Sequence, residues 1–294
     1  MNMKVFITGG TGFIGSEVIK ELVAGGYEVV GLARSAQSKQ ALKELGAAAV
    51  DGSLEDLDSL KRDAVAADAV IHCAFIHNFA DFAAAGQTDK AAIESIGYAL
   101  AGSNKPLIVT SGVPGEVPGH VVTENDVSPE GFPRQTEQAA LPFAQRGVDV
   151  RLVRPSRFVY SEALTNGFIS ALIGTAAQKG TAAYVGDGSN HTHAVHVSDL
   201  AKLYVLALKK GANGAKYQGV GDSAVSYRDI ATAIGKWLNV PTTSITPEQA
   251  AEHFGFLGQI VSADNPASSE ITQTALDWRP TRPTLLDVLK GAPK

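Results

Sequence analysis

Cysteine is almost missing from this chain of 294 residues: Cys73 stands alone. One thiol excludes an intramolecular disulfide and any cysteine-based metal cluster. Long apolar runs are missing too, none approaching the ~20 residues that a bilayer span requires. The chain opens directly on a strand-like run without a basic leader or cleavage site, so no secretory signal is expected and a cytoplasmic location is. Positive charge is the minority sign, with 25 Lys and Arg against 30 Asp and Glu for a net −5. With these charges interspersed, neither nucleic acid nor an anionic membrane is expected as the main partner. Apolar residues are plentiful at 45%, the fraction of an ordinary globular protein with a sizeable core. The length points to one large α/β unit with an appended lobe.

The chain is organised around Val5-Phe6-Ile7-Thr8-Gly9-Gly10-Thr11-Gly12-Phe13-Ile14-Gly15. Residues 4–8 read as a buried strand, because β-branched and aromatic residues bounded by glycine favour a pleated, packed setting. Ile14, Val18 and Leu22 then repeat at helical spacing until Gly25-Gly26 supplies the stop. A strand, a glycine turn and a helix N-terminus together make an anion site. Free N–H groups and the positive end of the helix dipole converge there, and absent side chains let a pyrophosphate approach the backbone. Gly9, Gly12 and Gly15 stand as Gly-x-x-Gly-x-x-Gly, a variant of the dinucleotide fingerprint. Thr11, Phe13 and Ile14 between them join the expected cofactor contacts.

Residues 28–33 read as a second strand, followed at once by Arg34. About 20 residues past the glycines, an acid holds the ribose 2′-hydroxyl of NAD, whereas an arginine suits the 2′-phosphate of NADP. Leu32, Ala33 and Ser35 around Arg34 include no carboxylate, so NADP is favoured. Ser35, Ser38 and Lys39 can add donors, since phosphate binds best where charged and neutral donors converge. Asp51 and Gly52 end a third strand (47–51), where the carboxylate can accept from an adenine amino group or start a helix.

Further along, residues 38–45 read as a helix, and Ser53-Leu54-Glu55-Asp56 as a capping box opening another. Residues 69–74 form an almost wholly apolar strand, as a parallel strand covered on both faces should be. His72 and Cys73 within it read as packed core groups, whereas His77 lies beyond its carboxyl end, where ligands bind in such sheets. An alanine-rich helix spans 79–101 and a fifth strand 107–111. The stretch 112–133 has no apolar periodicity, and loops that long inside compact domains are usually lids or binding loops. A helix at 134–146 and a strand at 148–153 follow. The strand–helix alternation weakens after Tyr160. We expect a dinucleotide-binding domain at 1–160, joined by 190–221, and a substrate lobe at 161–189 and 222–294.

These residues resemble the extended branch of the short-chain dehydrogenase/reductase superfamily, the epimerase/dehydratase-like proteins, over nearly the whole length. Thr8-Gly9-Gly10-Thr11-Gly12-Phe13-Ile14-Gly15 is similar to its glycine signature, and Val70-Ile71-His72-Cys73-Ala74 to its fourth-strand motif. Val109-Thr110-Ser111 matches the serine-bearing fifth strand, and Arg154-Pro155 the segment that sets a proline beside the nicotinamide. Val195-His196-Val197-Ser198-Asp199 and Leu276 to Pro280 match further elements. The resemblance implies a doubly wound α/β Rossmann fold with a parallel sheet and a smaller C-terminal substrate lobe. It also implies a nicotinamide dinucleotide lying along Cys73, Ala74, Phe75, Thr110 and Pro155.

One departure stands out. The family's proton donor is the tyrosine of a Tyr-x-x-x-Lys pair. Here no tyrosine lies between Tyr98 and Tyr160 and no lysine between Lys105 and Lys179, which marks an atypical member. Reducing a carbonyl needs a donor facing the developing oxyanion. The candidates are Ser111, Tyr160 and Arg134, the last able to polarise a carbonyl or bind ribose but not to act as an ordinary acid. Gly112 is an alternative alignment for the family's serine. Together with His77 and His191 it is expected on the substrate side. His191 and His193 fall on one strand face, but no metal site is expected. Three functions stay open: an NADP-dependent oxidoreductase reducing a small-molecule carbonyl with a non-standard donor set, an NADP-binding sensor without turnover, and an epimerase using the nucleotide transiently. The first predicts attenuation in Ser111→Ala or Tyr160→Phe. A homodimer is compatible with all three.

Overall fold

Strand β1 (Lys4–Thr8) is buried on both sides, with Val5 and Ile7 in one apolar cluster and Phe6 in another. Its sequence has no polar alternation because no face of it meets water. The computed structural model describes residues 2–77, 81–115, 119–128 and 134–291. Around β1 the chain alternates strand and helix: α1 (Phe13–Ala24), β2 (Glu28–Ala33), α2 (Ala36–Glu44), β3 (Ala48–Asp51), α3 (Leu57–Val65), β4 (Ala69–His72), α4 (Phe82–Leu100), β5 (Pro106–Thr110), α5 (Thr136–Ala140) and β6 (Asp149–Pro155). Then follow β7 (Phe158–Tyr160), α6 (Gly167–Lys179), β8 (Ala182–Val185), β9 (His191–His196), α7 (Val197–Lys210) and β10 (Lys216–Gly219).

The large sheet has seven strands in the order β10-β6-β5-β4-β1-β2-β3, and every pairing in it is parallel. The order reverses at β1, whose neighbours are β4 and β2. The crevice outside the carboxyl ends of β1 and β4 is therefore the topological switch point where such sheets bind ligands. This is the doubly wound α/β architecture expected from the sequence. Helices α1 and α7 pack together over one face, while α4 and α5 cover the other.

The remaining elements are β11 (Asp222–Ser226), α8 (Tyr227–Leu238), β12 (Thr242–Ile245), α9 (Pro247–Phe254), α10 (Gly258–Ser262), α11 (Glu270–Leu276) and α12 (Leu285–Gly291). All but α11 share a second apolar core with β7, β8, α6 and part of β9, whereas Leu276 of α11 packs into the first. β9 pairs with β7 and β11 in a three-stranded sheet, whereas β10 returns to the large sheet beside β6. The chain end is fastened to α7: Trp278 donates to the Asp199 carbonyl at 2.9 Å, and Thr281 and Arg282 N–H groups both donate to the Asp199 carboxylate at 2.8 Å.

Several expected boundaries move. Helix α3 starts at Leu57, capped by Asp56, whose carboxylate accepts from Ser59 N–H at 3.1 Å. Ser53 holds a turn instead, accepting from the N–H groups of Glu55 and Asp56. The helix expected at 134–146 is only the short α5, followed by a 3-10 turn (Leu141–Arg146). Pro142 removes a donor inside that stretch, and Gly147 ends it at φ 71°. β4 ends at His72, so Cys73 to His77 form the loop leaving the strand. Of the expected loop at 112–133, residues 116–118 and 129–133 lie outside the described residues, as do 79–80 of the expected alanine-rich helix.

Candidate active site

At the carboxyl end of β1 the backbone passes through Gly9 at φ 71°, a conformation that side chains rarely adopt. A Cβ at Gly9 would stand 2.6 Å from Ala74 N, and one at Gly15 only 2.1 Å from the Gly9 carbonyl oxygen. Missing side chains thus allow α1 to press against the turn and the turn against the end of β4. Gly12 caps α1 without a side-chain bond, and the first turn carries no acid. The leading N–H groups of the helix, Phe13 and Ile14 among them, are left for an outside acceptor. These features fit the pyrophosphate of a dinucleotide.

At the end of β2, Arg34 is exposed and makes no ion pair or hydrogen bond among the described residues. Its neighbours are occupied. Ser35 caps α2, accepting from Ser38 N–H at 3.1 Å, and Lys39 bridges both oxygens of Asp51 at 2.7 and 2.8 Å. Lys39 so neutralises Asp51, the acid at the end of the neighbouring strand β3. Gly52 follows, its N–H donating to the Ala33 carbonyl at 3.2 Å.

At the ends of β4 and β5 a buried polar chain crosses beneath the crevice. Thr8 Oγ1 accepts from Ala74 N–H at 3.3 Å and meets His72 Nδ1 at 2.9 Å. His72 Nε2 meets Asp89 Oδ1 at 3.2 Å, and Thr136 donates to Asp89 Oδ2 at 2.6 Å. Arg134 Nε donates to Thr136 Oγ1 at 3.0 Å and lies 3.6 Å from Asp89. Each ring nitrogen of His72 thus has a polar partner, Thr8 on one side and Asp89 on the other. Although burial opposes charge there, bonds from His72 and Thr136 and the charge of Arg134 hold the Asp89 carboxyl below its usual range. The far end of Arg134 donates to the Thr110 carbonyl at 2.8 Å, and its guanidinium lies 4.1 Å from the Phe75 ring centroid. His77 stands edge-on to Phe75 at 5.4 Å. Burial and the Arg134 charge lower its pKa.

Beside this, the Ser111 hydroxyl donates to Glu137 Oε1 at 2.8 Å. Glu137 in turn takes two bonds from Arg154, at 2.6 and 2.8 Å, in a pair that excludes water almost completely. The Ser111 proton therefore points to a carboxylate. Thr110 joins Tyr204 at 2.8 Å and Cys73 at 3.4 Å. Burial pushes the Cys73 thiol up to about 11, which makes it inert at neutral pH. A Cβ on Gly112 would meet nothing within 4 Å, so this residue borders open space, while Val113 N–H donates to Pro155 O at 3.3 Å.

Not every expected site residue gathers here. Tyr160 is buried among second-lobe groups, its hydroxyl held by Pro283 O at 2.9 Å and Asp222 at 3.2 Å. Burial and the Asp222 charge raise its pKa. The expectation that it faces the nicotinamide is not met by this arrangement, because its proton already serves the lobe interior. His191 pairs with Asp264 at 3.1 Å, whereas His193 is fully buried and Nδ1 accepts from Arg157 N–H at 3.1 Å. Asp89, Thr136 and Glu137 carry no motif in the sequence, and Arg154 is marked there only as the neighbour of Pro155. Asp89 had a signal: it lies on the face of α4 that buries Ala85, Ala92 and Ile96.

The buried His193 also sets a pH dependence. Burial and the Arg157 charge lower its pKa to about 3 from an ordinary 6.5. Below pH 6.5 the unfolded chain takes up a proton that the folded chain refuses, so stability falls as pH drops from 6.5 toward 3. The slope from this group is at most about 1.4 kcal/mol per pH unit. Urea unfolding at pH 7 and pH 5 is expected to show the loss, and His193→Gln to remove about one proton's share of it.

The comparisons agree with this geometry. The NAD(P)H-binding family profile matches residues 9–210. An uncharacterized protein of Schizosaccharomyces pombe is 42% identical over 288 residues, 97% of each chain. A ketoreductase of Stigmatella aurantiaca acting on a 4-hydroxy-2-methyl-3-oxo-4-farnesyl-3,4-dihydroquinoline-1-oxide is 27% identical over 269 residues, 86% of this chain and 80% of that one. Among solved structures, a dTDP-glucose 4,6-dehydratase of Streptomyces venezuelae with NAD bound superposes with a TM-score of 0.79 at 20% identity, covering 99% of this chain and 95% of the other. The chain belongs to the NAD(P)H-binding family, whose matched region takes in the glycine turn at Gly9 to Gly15.

Proposed function

We propose that the protein is an NADP-dependent oxidoreductase that reduces the carbonyl group of a small molecule. The observation that carries this reading is Arg134, a guanidinium fixed on four sides at the mouth of the crevice beside the ends of β4 and β5. The turn at Gly9 to Gly15 would hold the pyrophosphate, Arg34 the 2′-phosphate, and Asp51 an adenine amino group. Phe75, Ala74, Thr110 and Pro155 would line the nicotinamide end, and a bound reduced nicotinamide would supply the hydride. Arg134 then faces the oxygen on which negative charge grows. It stays charged throughout and so stabilises the oxyanion without giving up a proton. His77, beside it, would be the titratable group to deliver one. Ser111 contributes only if its hydroxyl turns away from Glu137. The Stigmatella ketoreductase, a relative by sequence, supports the carbonyl assignment.

The test is NADPH oxidation against a panel of ketones and aldehydes, with Arg134→Gln alongside. The variant is expected to lose about 100-fold in kcat while its NADPH affinity changes less than about threefold. Tight NADPH binding with no turnover on any carbonyl would instead favour a sensor.

A further inference from the structure

Among the described residues, seven buried side-chain polar atoms lack a hydrogen-bond partner, and four of the seven belong to residues around the start of β9: Arg157 Nη1, Thr192 Oγ1, His193 Nε2 and Asn265 Oδ1. Buried polar atoms are satisfied in the great majority of cases, so such a concentration calls for an explanation. These residues are neighbours. Arg157 N–H donates to His193 Nδ1, Asn265 N–H donates to the His191 carbonyl at 2.9 Å, and Arg157 and Thr192 both stand near the Tyr227 phenol without a hydrogen bond of good geometry to it.

Their place in the fold ties them to the crevice. Arg157 lies two residues past Pro155, and the loop leaving β5 touches both sides of the group: Val113 N–H reaches Pro155 O, and Asn265 Nδ2 reaches Pro114 O at 3.2 Å. The cluster thus lies where the loops after β5 and β6 meet the second lobe, beyond Ser111 and Gly112. Its hydrogen-bonding character is defined. Since Nδ1 of His193 accepts, its Nε2 carries the proton and is a donor. Arg157, partly exposed, has no carboxylate at ion-pair distance among the described residues. A guanidinium without a counter-charge beside a neutral N–H donor matches one negative charge spread over two coplanar oxygens. A phosphate dianion would call for a second cation.

The geometry points to Arg157, with His193, as the anchor for a carboxylate on the substrate, so that the carbonyl compound reduced is an oxo acid. This deepens the reductase reading and rests on it. We would measure binding of phenylglyoxylate and 4-oxo-4-phenylbutanoate, each against its methyl ester, by calorimetry with and without saturating NADPH. At least one acid is expected to bind tenfold or more tighter than its ester, and Arg157→Gln to bring the pair within about twofold. Arg157→Lys, which keeps charge but loses the planar fork, should retain part of the difference. Arg157→Met is expected to keep or raise the melting temperature, since it removes a partly buried charge that has no anionic partner among the described residues.

Equal binding of acids and esters by the unaltered protein, or a preference that survives Arg157→Gln, would overturn the proposal. So would a fall in melting temperature for Arg157→Met, which would make the guanidinium a structural element. Displacement of the acids by inorganic phosphate at lower concentration would overturn the carboxylate assignment in favour of a phosphorylated ligand. NADPH affinity, read in the same calorimeter, fails separately if the cofactor reading is wrong.

Discussion

Arg34→Ala is expected to weaken NADPH binding by roughly 10- to 100-fold while changing NADH binding less than about threefold. The magnitude follows from a charge-assisted contact to phosphate, worth about 1.5–3 kcal/mol, at 1.4 kcal/mol per tenfold. The surroundings make Arg34 the decisive group. Lys39, the other cation nearby, is occupied by Asp51, and the Ser35 hydroxyl is turned to the start of α2. Neither replaces the lost charge without giving up a bond of its own. Fluorescence titration with both nucleotides measures the ratio, and equal losses for the two would end the assignment to NADP.

The largest effect on stability is expected at Glu137. Arg154 has no exposed surface, and among the described residues its charge is met by Glu137 alone, its other bonds going to the carbonyls of Glu124 and Asp126. Glu137→Ala strands that guanidinium in the core, which costs about 3–5 kcal/mol. For a chain of this size the melting temperature should fall on the order of 10 °C. Removing both charges, in Glu137→Leu with Arg154→Met, is expected to recover part of the loss, because apolar residues of similar volume often replace a buried pair without penalty. A double variant no better than the single one would show that the carbonyl contacts of Arg154, not the charge pair, hold the loop at 124–126.

Much of this architecture could be read from residue order. The run from Val5 to Gly15 announces a strand, a turn and a helix because each step needs a different residue type: β-branched for the pleat, glycine for φ 71° and close approach, periodic aliphatics for the buried helix face. The seven-stranded sheet follows from repeating that unit. The site beyond the nucleotide was less legible because its parts are far apart in sequence. Asp89 meets His72, Thr136 and Arg134 only after α4 and β5 have been placed. Tyr160 shows the opposite error. It follows a strand of the large sheet closely, but β7 turns it into the second lobe, where Asp222 and Pro283 from the last part of the chain enclose its hydroxyl. Arg157 and His193 look unremarkable as neighbours in sequence to Pro155 and His191. Their importance comes from what they fail to meet.

The chain from Thr8 to Arg134 has one further consequence. On one side Ala74 N–H donates to Thr8 Oγ1, which meets His72, and His72 meets Asp89 Oδ1. On the other, Arg134 donates to Thr136 and Thr136 to Asp89 Oδ2. Both arms terminate on the same carboxylate, so the loop leaving β4 and the guanidinium of Arg134 share one anchor on α4. The fold itself, rather than a ligand, holds the dipoles around Arg134 in place.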